Sequence, residues 1–69
     1  MARIIWKRPE NPPKHVSDQL GIPHWQLGEA LHEIKHAGNL RATDRVIIYD
    51  DGMVTDEYGD ALSNIYDEL

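Results

Sequence analysis

The chain has 69 residues, no cysteine, and a formal net charge of −5 from 7 basic and 12 acidic side chains. That length allows one domain with a core that supplies roughly 3–5 kcal/mol, the missing cysteines exclude disulfides and thiolate metal sites, and the negative field works against generic binding to a phosphate backbone. No apolar run is long enough for a bilayer and only Ile4-Ile5-Trp6 separates the first charges, so neither a membrane span nor a secretory signal is expected and the expected site of action is cytoplasmic.

Ala2 to Lys7 is β-branched and aromatic, which predicts a short edge strand with Arg3 and Lys7 facing solvent. Arg8-Pro9-Glu10-Asn11-Pro12-Pro13 must be extended, because each proline fixes φ and pushes its predecessor out of the helical region. Residues 1–14 therefore read as an N-terminal arm and Pro-rich linker, and residues 15–69 as a single small α+β domain. His15 to Leu20 predicts one or two helical turns, with Ser17 or Asp18 as cap candidate and Gly21 as the break.

The main amphipathic helix is expected over about 23–37. Leu27, Ala30, Leu31, Ile34 and Ala37 recur at helical spacing and form its core stripe, Pro23 suits its first turn, and Gly38-Asn39 suits its end. A second stripe, Trp25, Glu29, His32 and His36, runs along the opposite side. Arg45 to Tyr49 predicts a strand, Asp51-Gly52 a two-residue type I′ hairpin turn, and Met53 to Asp56 the antiparallel return. Tyr58-Gly59-Asp60 offers a second turn and Ala61 to Tyr66 a third strand. The expected architecture is α+β, helices first, with the main helix packed on a three-stranded antiparallel meander over about 45–66.

Four constellations bear on function. His32-Glu33-Ile34-Lys35-His36 matches H-E-x-x-H, whose two histidines on one helical face bind zinc in larger proteases. Here no third ligand is evident and Lys35 puts a cation beside the site, so no metal or other cofactor is expected. Val16, Leu20, Gly21 and Ile22 leading into the main helix fit a helix-turn-helix, with the hairpin as a wing, but the wing tip would turn Asp50 and Asp51 toward phosphate. His32 or His36, Glu29 or Glu33, and the cations Lys35, Arg41 and Arg45 are the groups that attack on RNA by its own 2′-hydroxyl requires: a base, an acid and a cation. The acidic C-terminal half, with its tyrosines and the Trp25 stripe, could instead form a face for a basic protein partner.

Leu31-His32, Ile34-Lys35, Asp44, Val46, Ile48, Gly52, Val54, Asp56 and Asn64-Ile65 follow an order that resembles the small C-terminal toxin modules of bacterial polymorphic and contact-dependent toxin systems. The similarity covers residues 30–69, and Ser63 stands where that pattern has glycine. Met1 lies only a few residues before the linker, so a free-standing relative, a fragment or a different family is expected. The resemblance implies a metal-independent ribonuclease with an RNA substrate and a cognate immunity protein. It implies His32 and Lys35 as catalytic; His36 joins them as acid–base candidate, with Trp25, Arg41, Arg45 and Asn64 as substrate-binding candidates. The alternatives are a small acidic inhibitor of a basic partner, such as an immunity protein or phage nucleic-acid mimic, and a helix-turn-helix or winged-helix-like DNA-binding module.

Overall fold

The computed structural model describes residues 2–69. Along the chain run β1 (Ile4–Arg8), α1 (Lys14–Leu20), α2 (His24–Ala37), β2 (Val46–Tyr49), β3 (Met53–Asp56), β4 (Ala61–Asn64) and a closing 3₁₀ turn (Ile65–Glu68). The α+β class holds, but the sheet has four antiparallel strands in the order β1-β2-β3-β4, not three. A strand also precedes both helices. The extra strand is β1, whose β-branched and aromatic residues pair Trp6 with Ile48, Lys7 with Ile47 and Arg8 with Val46. Among the described residues no helix is long and apolar enough to cross a membrane.

Leu27, Ala30, Leu31 and Ile34 of α2 are buried with Val16 and Leu20 of α1, Val46 and Ile48 of β2, Val54 of β3 and Ile65. Two short helices and a small sheet each expose an apolar face, and only mutual packing removes it from water. Ala37, expected in this stripe, is exposed in the last turn, and Leu40 beyond the helix packs on the core instead. Ile47, by alternation on the far face of β2, is still buried because Lys7 and Thr55 flank it across the strands.

Neither Ser17 nor Asp18 caps α1. The helix begins at once after Pro13, and Ser17 is a buried residue inside it that donates Oγ–H to the Lys14 carbonyl at 2.8 Å. The hairpin turn also differs from expectation. A type I′ turn needs positive φ at both central residues, yet of Asp50, Asp51 and Gly52 only Gly52 has it, at 91°. Gly52 N–H instead donates to the Tyr49 carbonyl at 3.0 Å, and Asp51 Oδ1 accepts from Met53 N–H at 3.0 Å, giving a three-residue loop.

Acidic residues close the other turns in the same way. Asp56 Oδ1 accepts from Tyr58 and Asp60 N–H at 2.9 and 3.0 Å, and Asp50 Oδ1 accepts from Arg3 N–H at 3.0 Å. Asp44 accepts Arg41 N–H at 2.8 Å and pairs with the Arg41 guanidinium at 3.4 Å. Donation from the Arg41 backbone holds the Asp44 carboxyl below 3.8, against a smaller opposing effect of burial. A carboxylate that is more acidic folded than unfolded stabilises above its ordinary pKa, and that stability is lost as pH falls through the folded value. Urea unfolding from pH 5 downward is therefore expected to show wild type losing stability below pH 3.8 more steeply than Asp44→Asn. Equal slopes would remove Asp44 from the account.

Candidate functional site

His32 and His36 lie one turn apart on α2, so their rings project side by side: centroids are 6.5 Å apart and planes 11° from parallel. Lys35 lies between them in sequence, and all three line one open cleft of about 410 Å³. Leu31, Leu40 and Ala42 add to the lining, and Pro9, Glu10 and Asn11 form a wall from outside α2.

That wall is the Pro-rich segment, which is fastened to the domain through three of its carbonyls. Lys35 Nζ donates to Pro9 O at 2.7 Å, Trp6 Nε1 to Glu10 O at 3.2 Å and His24 Nε2 to Pro12 O at 3.0 Å. Because a carbonyl only accepts, the last contact fixes the proton of His24 on Nε2. Proline supplies an extended backbone without N–H groups of its own, so its carbonyls stay available to side-chain donors. Trp6 is steadied in turn by the Arg8 guanidinium, 5.8 Å from its ring centroid, and by the edge of His15 at 6.5 Å.

Lys35 also donates to Ala42 O at 3.3 Å, so it ties both the Pro-rich segment and the loop after α2 to the helix. Burial holds its ammonium below the usual lysine range, partly offset by the carboxylates of Asp44 and Glu10. Two of its three protons are engaged by protein carbonyls, which leaves one for a ligand. Lys35→Met keeps the stem and removes both bonds; the expected loss is about 1.5–3 kcal/mol for hydrogen bonds to a charged donor. Equilibrium urea unfolding measures it, and a loss under 0.5 kcal/mol would mean that Lys35 does not hold the wall.

Of the other sequence candidates, Arg41 is exposed and paired with Asp44, and Arg45 is exposed; neither lines the cleft. Trp25 stands in a neighbouring groove, which His32 also borders. Asn64 belongs to the hairpin: its Oδ1 accepts Tyr66 N–H at 3.0 Å and its Nδ2 donates to Asp51 O at 3.3 Å. Asn11 and Glu10 enter the site without a signal in the sequence, because only the folding back of the Pro-rich segment places them there. Among the described residues no group of three or more His, Asp or Glu side chains is arranged to hold a metal ion, and His32 and His36 stand without a third ligand.

Comparison of the chain with protein-family models, curated protein sequences and solved structures gives no match.

Proposed function

We propose that the cleft cleaves RNA without a metal, as a toxin-like ribonuclease module. The observation that supports this reading most is the pair of parallel imidazoles beside the Lys35 ammonium in one open cleft. Rings 6.5 Å apart are near enough for one phosphodiester to reach both, yet separate enough to act on different oxygens. One neutral imidazole accepts the 2′-hydroxyl proton as that oxygen attacks phosphorus. The other, protonated, gives its proton to the departing 5′-oxygen, so the products are a 2′,3′-cyclic phosphate and a 5′-hydroxyl. The remaining Lys35 proton offsets charge on the non-bridging oxygens, and the Asn11 amide offers a neutral donor on the Pro-rich wall.

Histidine suits both roles because it exchanges protons near neutrality. Arg41 and Arg45 lie outside the cleft, so this reading rests its cation on Lys35 alone. The resemblance to toxin modules adds a cognate immunity protein and a cytoplasmic site of action. Incubation of a labelled RNA with the protein and EDTA tests the proposal. The expected products carry 2′,3′-cyclic phosphate ends; no cleavage, or cleavage that EDTA abolishes, overturns it.

A further inference from the structure

Next to the cleft, and sharing Gly28 and His32 with it, a groove of about 510 Å³ runs between α2 and the closing 3₁₀ turn. Trp25 and Leu69 line it and are 64% and 54% exposed, which leaves apolar surface open to a ligand along the groove. Glu29 and Glu33 line it from α2, and Glu68 faces them from the turn. Among the described residues no cation pairs with any of the three; the ion pairs are Arg8–Glu10 and Arg41–Asp44. This separates them from Asp44, Asp50, Asp51 and Asp56, whose carboxylates are engaged by backbone N–H groups at turns. Glu68 accepts one hydroxyl, from Ser63 at 3.0 Å, and has further acceptor capacity.

We propose that this groove docks a basic segment of a partner protein, with an arginine or lysine laid over the Trp25 indole and its charge met by Glu29, Glu33 and Glu68. An indole face attracts a cation, and the surrounding carboxylates add to that attraction instead of opposing it. RNA does not fit here, because the same carboxylates repel phosphate. An uncharged apolar partner would bury three uncompensated charges, which is strongly unfavourable. A second copy of the chain would bring its own net charge of −5 to the contact. His32 borders both the groove and the cleft, but the proposal does not require the cleft to cleave RNA.

The full chain, ¹⁵N-labelled, is titrated with the hexapeptide Arg-Leu-Arg-Leu-Arg-Leu and, separately, with its glutamate counterpart. Saturable shifts are expected at Trp25, Glu29, Glu33 and Glu68 with the basic peptide alone. Trp25→Ala and the double variant Glu29→Gln/Glu33→Gln are each expected to raise Kd about tenfold or more, with unchanged sheet resonances as evidence of an intact fold. Tyr58→Ala, at an 83% exposed aromatic on the acidic β3–β4 turn, is expected to change nothing. Shifts centred on Tyr58, equal binding of the acidic peptide, unaltered affinity in both groove variants, or a dimer that Trp25→Ala dissolves would overturn the assignment.

Discussion

Gly52→Ala is expected to lose about 2–4 kcal/mol, which for a domain with roughly 3–5 kcal/mol in hand leaves much of the population unfolded in water. Two effects add. Gly52 sits at φ 91°, where an L-residue pays about 1–2 kcal/mol. A methyl built there would lie 2.7 Å from Asn64 Oδ1 and 2.7 Å from two carbons of the Tyr66 ring. Neither neighbour is free to retreat: Asn64 bridges Asp51 O and Tyr66 N–H, and the Tyr66 hydroxyl donates to the Leu20 carbonyl at 2.6 Å. Gly52 O itself accepts from Ile65 N–H at 2.8 Å, so moving the loop breaks the same junction from the other side. Urea unfolding reads the loss directly. A D-alanine introduced by chemical synthesis favours positive φ and points its methyl elsewhere, and it is expected to keep most of the stability. Equal destabilisation by both alanines would contradict the hairpin geometry.

The parts of this molecule visible in its sequence are those set by local pattern. The apolar spacing of Leu27, Ala30, Leu31 and Ile34, the β-branched run Val46-Ile47-Ile48 and the Asp-Gly pair each determine an element within a few residues of themselves. What failed to show was long-range. The edge strand near the N-terminus was legible from its β-branched and aromatic residues, but not that it joins the meander's sheet by pairing with residues some forty positions later, and the three donors that fasten the Pro-rich segment come from Trp6, His24 and Lys35 in different elements. Composition cannot distinguish a proline run that hangs free from one that forms a wall. The placing of Asn64 shows the same limit: the residue is visible as a polar position at a strand end, but its engagement by the hairpin depends on Asp51 and Tyr66 being folded beside it. For the cleft, the i, i+4 spacing of His32 and His36 was sufficient to bring the rings together, whereas the exclusion of Arg41 and Arg45 required the actual course of the loop after α2.

His32→Ala and His36→Ala are each expected to lower RNA cleavage by about 10²–10⁴-fold, the range that a correctly placed acid or base contributes. Both side chains are exposed, so truncation should shift stability by no more than about 0.5 kcal/mol and the loss can be assigned to chemistry. If the two rings act on one phosphodiester, the double variant will be little worse than the weaker single variant, because removing either proton-transfer partner already disables the step. Independent contributions would instead multiply. Lys35→Met separates chemistry from scaffolding: if its ammonium reaches the phosphate, cleavage falls even at temperatures where the variant remains folded, whereas a purely wall-holding role moves activity only in step with the folded fraction. Retention of full activity in both histidine variants would remove the cleft from the reaction altogether.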